Sequence, residues 1–305
     1  MVFFAVLAAV FAVFAVMRLA GADGGRLTAS LIALTPYWVV CGLLLGVVGL
    51  ALRHWWIGGF VLVLALVVGG VVVPRAAASA QPPVHGRTLH VMSSNMYYGE
   101  ADPDTIVRLV RENQVDVLNL LELTPSAMGA LRAAGLSDLL PYQVLRPAAR
   151  AAGTGVLSRY PLTELSLPGP SVFAQPSARL DLGGGSSVEV VAVHPTAPVA
   201  DAGAWKSEIA GLPHPDPSGP VRVLAGDFNA TLDHGTLRNL IATGYTDAGD
   251  ATGEGFTATW PSKLLPPPVA IDHVLVDARA AVTSYRVFPM PGSDHRAVVA
   301  SITLP

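Results

Sequence analysis

Only four of the first 74 residues carry a charge, Arg18, Asp23, Arg26 and Arg53, and this depletion constrains the chain more than any other feature of its sequence. Every residue from Val2 to Met17 is apolar, no charge interrupts Leu27 to Leu52, and none interrupts Trp55 to Val73. The runs are 16, 26 and 19 residues long, against the about 20 that a helix needs to cross a bilayer. The expectation is a membrane anchor over residues 1–74 with three transmembrane helices. A cleaved signal peptide is the competing reading of the first run, which lacks the basic n-region such peptides carry. Only Arg53 and His54 separate the second run from the third. That spacing implies a tight antiparallel hairpin, with Trp55 and Trp56 at the interface depth tryptophan favours.

Three spans put the two ends of the chain on opposite sides. Arg18, Arg26 and Arg75 share the side of the C-terminal part, whereas Arg53 and the N-terminal amine share the other. By this small margin the positive-inside rule points the C-terminal part to the cytoplasm. The whole chain is 51% hydrophobic and 13% charged, the reverse of the signature of disorder. A single cysteine, Cys41, lying in an apolar run excludes a disulfide scaffold. Two lysines against seventeen arginines, with abundant Ala, Gly and Pro, suit a GC-rich bacterial genome.

Residues 75–87 are small, proline-containing and aperiodic, the composition of a linker. A folded unit over 88–305 is long enough for one α/β domain with a sizeable core. Strands are expected at Leu89–Ser94, Val115–Leu121, Val188–Val193, Val221–Ala225 and Ile271–Val276. A helix is expected after Asp102 as N-cap, with Pro103 at its first position. Polar residues recur just past these apolar strands: Asn95, Glu122, His194, Asp227 with Asn229, and Asp272. Singly, an Asp or Asn there is most simply a turn residue. Together they mark the converging strand ends where α/β folds collect active sites.

Seven short motifs follow one another: Ser94-Asn95-Met96, Leu121-Glu122, Gly153 to Pro161, Val193-His194-Pro195, Gly226-Asp227-Phe228-Asn229, Ile271-Asp272-His273 and Ser293-Asp294-His295. In this order they resemble the endonuclease/exonuclease/phosphatase superfamily of metal-dependent phosphoesterases, over essentially all of residues 88–305. Gly-Asp-Phe-Asn followed by Ser-Asp-His is the specific pair. The resemblance implies a two-sheet α/β sandwich, DNase I-like, as the catalytic domain behind three transmembrane helices. Such helices ahead of such a domain also look like the membrane-anchored actinobacterial branch that includes teicoplanin-resistance-associated proteins, whose catalytic domain is thought to face outward. Leu121, Ala270 and Ala297 depart from Gln, Arg and Pro in many members; loss of the Arg at Ala270 bears on what the substrate pocket accepts.

Carried over residue by residue, the resemblance implies that Asn95, Glu122, Asp227 and Asp294 are metal-ligand candidates, and that His194, Asp227, Asn229, Asp272 and His295 are catalytic. Asp227 would orient water or hold a second ion, Asn229 would orient phosphate, and His194 would stabilise the transition state or leaving group. His295 would hydrogen-bond the phosphoryl oxygens in the tautomer fixed by Asp272. Oxygen ligands suit a hard ion, Mg²⁺ with Mn²⁺ as a substitute, better than zinc. Alternation puts His273 on the face opposite Asp272, a structural position. His214 and His234 lie in Pro/Gly-rich loops and are expected to be solvated. Arg179 and Lys206 are weighed as contacts to an anionic substrate against plain surface positions. The stretch from Trp260 through Val269 is either an apolar lip beside the site or a surface loop.

The leading expectation is a multi-pass protein of a bacterial cell membrane hydrolysing a phosphate or pyrophosphate ester of a lipid or lipid-linked substrate, with the bilayer as partner and the domain extracytoplasmic. A nuclease is the enzymatic rival. Nucleases neutralise polyanions with clustered cations, yet residues 75–305 hold 16 basic against 21 acidic residues and no basic run. A catalytically inactive membrane scaffold is the third reading, opposed by the complete set of site residues.

Overall fold

The computed structural model describes residues 2–305. Four helices open the chain: α1 (Val2–Ala20), α2 (Arg26–Ala33), α3 (Thr35–Ala51) and α4 (Trp55–Val72). Two of them are long and apolar enough to cross a membrane, α1 and α4 with its short extension to Ala76. The second charge-free run breaks where a single span was expected, because α2 and α3 meet at a 70° bend. Pro36 in the first turn of α3 explains the break: its ring is at home at a helix start and disfavours helical backbone just before it. The α3–α4 hairpin forms as expected around Arg53-His54. Its helices approach closely because Gly49 and Gly58 meet there; a Cβ on Gly58 would lie 2.7 Å from the Leu50 nitrogen, the small-residue contact typical of apolar helices. Phe4 stacks on His54, ring centres 5.5 Å apart, so α1 runs the length of the hairpin and its other end reaches the domain.

The domain holds twelve strands: β1 (Thr88–Asn95), β2 (Val117–Leu121), β3 (Tyr142–Arg146), β4 (Thr154–Ser158), β5 (Leu162–Leu165), β6 (Ser177–Gly183), β7 (Ser186–Val193), β8 (Val221–Asp227), β9 (Tyr245–Asp247), β10 (Asp272–Asp277), β11 (Ala281–Phe288) and β12 (Ala297–Thr303). Among its helices are α5 (Pro103–Glu112), α6 (Pro125–Ala133), α7 (Leu136–Leu139), α8 (Pro198–Ala210) and α9 (Gly235–Ile241). They form two six-stranded mixed sheets, ordered β11-β12-β1-β2-β4-β3 and β5-β6-β7-β8-β10-β9. Alternation along the strands makes the sandwich: Leu89, Val91, Val190, Val223 and Val274 point between the sheets. Their intervening neighbours point outward, Met92 and Leu118 against α5 and α6, and Val191 and Leu224 against α8 and α9. Buried on both faces, these central strands carry near-continuous apolar runs, each enclosed Val or Leu contributing roughly 1.5–3 kcal/mol. The Asp102 cap forms as the sequence implies, its carboxylate accepting from the Thr105 amide at 2.9 Å.

Past a 3-10 turn at Val73–Ala76, residues 77–87 are irregular, and the stretch lies along the domain. Arg75 is buried and pairs with Asp233 at 3.0 Å; the Ser79 amide donates to Ala251 and the Gly86 amide to Leu304. Arg18 reaches the same Asp233 from the end of α1 at 2.8 Å, Asp23 accepts from Thr236, and α2 packs on α8. The solvated reading of His234 is therefore corrected: its ring is buried, and Nε2 bonds the Ala29 carbonyl of α2 at 3.0 Å. His214 is exposed as expected. The N-terminal helices and the domain share a buried ion cluster whose carboxylate, if removed, would leave two guanidinium groups without their counter-charge.

Candidate active site

The same alternation that builds the core delivers the site. Past the last apolar residue of their strands, Asn95, His194 and Asp227 continue the series of side chains that points between the sheets, Leu89-Val91, Val190-Ala192 and Val223-Ala225, and Asp272 opens the antiparallel β10 in the same phase as Val274-Val276. Glu122 is out of phase, since it follows Leu118 and Leu120 of the outer face. Its backbone adopts φ +55°, a strained conformation for a side chain of this size. The turn brings its carboxylate back over the sheet, where Oε2 accepts from the Tyr98 amide at 2.7 Å and Oε1 from Asn95 Nδ2 at 3.2 Å. Asn229 is likewise left-handed, φ +49°, and donates its amide N–H to Asp227 Oδ1 at 2.8 Å. Gly226 has to be glycine: a Cβ there would lie 1.9 Å from the Val193 oxygen of the adjacent strand.

Asn95 Nδ2 also donates to Asp227 Oδ2 at 3.2 Å, so one amide spans two carboxylates carried by different sheets. His295 Nδ1 bonds Asp272 Oδ2 at 2.9 Å, and its Nε2 lies 3.7 Å from Asp227 and 3.9 Å from Asp294. His194 Nε2 faces Glu122 at 3.9 Å and Asp227 at 4.0 Å. All of the residues singled out in the sequence at strand ends and in the Ser-Asp-His motif therefore converge, except His273. That ring lies on the outer face, between Asp247 (2.8 Å) and the Ala230 carbonyl (2.8 Å), the structural position expected of it. Arg179 pairs with Glu189 in a half-exposed surface bridge, and neither it nor Lys206 lines the cavity.

Charge is unevenly shared in this cluster. Burial pushes the Asp227 carboxyl up to about 7, with the Asp272 and Glu122 charges adding and His295 opposing. Burial likewise raises Glu122, against the Tyr98 and Asn95 hydrogen bonds. Burial works against a charge on His295, but Asp272 and Asp227 outweigh it and lift the imidazole to about 10. In His194 burial, reinforced by the neighbouring His295, outweighs the Asp272 charge and the Ala151 backbone, and the imidazole falls to about 3. One imidazole is therefore held as a cation and the other as a neutral ring.

Sequence reasoning missed Phe173 and Thr259, and reached Trp260 only within the stretch weighed as an apolar lip, which does border the site. Phe173 stacks on His194 with ring centres 5.0 Å apart, and Trp260 Nε1 donates to Asp294 Oδ2 at 3.0 Å. Thr259 Oγ1 accepts from the Ile271 and Asp272 amides at 3.0 Å each, fixing the start of β10. The only sequence signal was aromatic residues in polar, proline-rich stretches. Around the cluster opens a cavity of about 490 Å³, bordered by Glu122, His194, Asp227, Asn229 and His295 at one end. The rest of its lining is mostly apolar and includes Ala29, Ala33 and Leu34 from the N-terminal helices with Pro266, Pro267 and Val269, beside Ser30 and the buried His234.

A buried ensemble of carboxylates, a charged imidazole and a neutral one can polarise an anionic ester and move a proton to or from water. Solved structures share its scaffold. An endonuclease/exonuclease/phosphatase family protein from Leptotrichia buccalis matches with a TM-score of 0.53 at 14% identity, covering 71% of this chain and 100% of its own. Humanized D. rerio TDP2 matches with a TM-score of 0.55 at 14% identity, 71% and 99% covered. An endonuclease/exonuclease/phosphatase from Beutenbergia cavernae matches at 0.50 and 18% identity, 72% of each chain covered. At these identities the likeness is one of fold, the DNase I-like sandwich. No protein with a curated description matches the sequence. The model of the Endonuclease/Exonuclease/phosphatase family matches residues 92–295, a span that runs from β1 to His295 and contains every residue of the cluster, and the chain belongs to that family.

Proposed function

We propose that the protein is a membrane-anchored, divalent-metal-dependent phosphoesterase that hydrolyses a phosphate or pyrophosphate ester of a lipid or lipid-linked substrate. The observation that carries this reading is the cavity: charged catalytic groups at one end and, at the other, an apolar wall partly built by the membrane anchor. A lipid phosphate has the same two-ended character. The scarcity of cations along the domain speaks against a nucleic acid backbone.

The donor set fits a hard cation. Two buried carboxylates, Glu122 and Asp227, share a single amide donor, and Asp294 Oδ1 is buried without a hydrogen-bond partner. Glu122, Asp227 and Asp294 would hold Mg²⁺ or Mn²⁺ through oxygen, with Asn95 joining if its amide turns its oxygen inward. Asp227, Asp272 and His295 lie closer together, their ligand atoms within 4.8 Å. Because Asp272 Oδ2 and His295 Nδ1 already bond each other, that trio serves better as a carboxylate-imidazole relay. The ion would neutralise charge on the nonbridging phosphoryl oxygens when bound. His295, doubly protonated against Asp272, turns Nε2–H into the cavity to donate to a phosphoryl oxygen. Left outside the ion's coordination, with Glu122 and Asp294 holding it, Asp227 would instead accept the proton of an attacking water, for which its raised carboxyl suits it. His194, being neutral, contributes a hydrogen bond and no proton. Asn229 borders the cavity, its amide held by the Pro195 carbonyl at 3.2 Å.

A panel of detergent-dispersed lipid phosphates, lipid pyrophosphates and single-stranded oligonucleotides, assayed with Mg²⁺ and with chelator, tests the reading. Metal-dependent release of phosphate from a lipid is expected; cleavage of the oligonucleotides alone would establish the nuclease instead. We place α1, α3 and α4 across the membrane as three passes, with α2 turned aside onto the domain and the domain on the extracytoplasmic side, in line with the likeness to outward-facing anchored relatives and against the small arginine margin. Protease added to intact spheroplasts should remove residues 88–305 while a cytoplasmic marker survives. A domain that is digested only after lysis would reverse the orientation.

A further inference from the structure

The apolar end of the catalytic cavity leads toward the membrane helices. A smaller cavity of about 310 Å³ adjoins it, shares Ala33 and Val269 with it, and is bordered by Tyr37 and Val40 of α3. Its charged borders, Arg75 and Asp233, neutralise each other at 3.0 Å. On the border of this smaller cavity Tyr37 Oη donates to the Pro268 carbonyl at 2.8 Å, which ties the 264–269 loop to the first turn of α3. At the tip of that loop Leu264 and Leu265 are 83% and 81% exposed. Two adjacent bare leucines beside the start of an apolar helix are poorly placed for water and well placed for a bilayer interface.

We propose that this anchor-built end is a chain subsite. Ala33, Leu34, Pro266, Pro267 and Val269 enclose the first carbons of an aliphatic chain esterified to the phosphate, and the path past Tyr37 and Val40 carries the rest of the chain to the bilayer that holds the anchor. The occupant is the substrate itself, a membrane-resident aliphatic phosphate ester. Three features select it: the subsite continues directly from the catalytic cluster, carries no unpaired cation for a second anionic group, and ends on membrane helices. The proposal rests on the phosphoesterase reading above and specifies which part of the substrate the anchor recognises.

The test uses the full-length protein in mixed micelles and matched methyl and hexadecyl esters of whichever phosphate type the panel scores. Wild type should favour the hexadecyl ester in kcat/KM by at least about tenfold, because only the long chain leaves water on binding. Ala33→Phe, which fills the subsite, and Leu34→Gln, which makes it polar, should each narrow that preference by about tenfold, read as the ratio of the two esters in one preparation. Turnover without chain preference, or a preference unmoved in both variants, overturns the subsite and leaves the phosphoesterase standing. Should Ala33→Phe lose both esters through misfolding, the ratio in Leu34→Gln decides. Failure of the wild type on every ester, with metal present, removes the phosphoesterase reading and the subsite with it.

Discussion

Asp227→Ala is expected to lower kcat at least about a hundredfold while the fold survives. The Oδ2 atom stands at the centre of the cluster, 3.2 Å from Asn95, 3.7 Å from His295 and 4.0 Å from His194. No other carboxylate takes over its position: Asp272 is engaged with His295, and Glu122 is fixed by Tyr98 and Asn95. Stability should suffer little, because burial already penalises the charged form of this group. Turnover near the wild-type level, in protein with an unchanged circular dichroism spectrum and melting temperature, would remove Asp227 from the mechanism.

His295→Ala is expected to cost a similar factor, and its dependence on Asp272 gives a sharper check. Asp272 touches the reaction through the imidazole it holds at 2.9 Å, so Asp272→Asn acts by unseating the tautomer and charge of His295. With the ring gone, nothing remains for the carboxylate to position. The double variant should therefore be no slower than His295→Ala alone, within about twofold. Multiplicative losses in the kinetic cycle would show that Asp272 acts separately from His295.

The chemistry-bearing half of this site was legible because a strand writes its direction into its sequence. Apolar runs of strand length identified the central strands, and the polar residue that closes the run at Asn95, His194 and Asp227, or opens it at Asp272, fell on the inward phase. The same rule sent His273 outward, where it is found. Glu122 was identified by its motif and not by its phase, since the backbone turn that rescues it leaves no periodic trace. The pairing into two sheets came from the family likeness; edge strands such as β3 and β5 mix exposed and half-buried positions and carry no alternation to follow.

What stayed hidden was contact between distant segments. His234 looked solvated because its neighbours are loop formers, and what buries it is Ala29, 205 residues earlier. The charge-free run from Leu27 to Leu52 masked a bend that Thr35-Pro36 announces once helix starts are sought inside it. Residues 75–87 have the composition of a flexible tether, and no composition reveals that Arg75 will meet a carboxylate carried by the domain.

The bend that turns α2 onto α8 divides the site between two stretches of chain, of which the family match covers one. The reacting groups all fall within residues 92–295, the part that the family holds in common. The wall at the other end of the cavity includes Ala29, Ala33 and Leu34, from a segment the family match does not reach. Kinship within this family therefore speaks for the bond that is broken and stays silent about the guest that is admitted. On the reading proposed above, two proteins alike throughout the shared region could differ in substrate through a few small residues of α2, the short helix that lies on the domain.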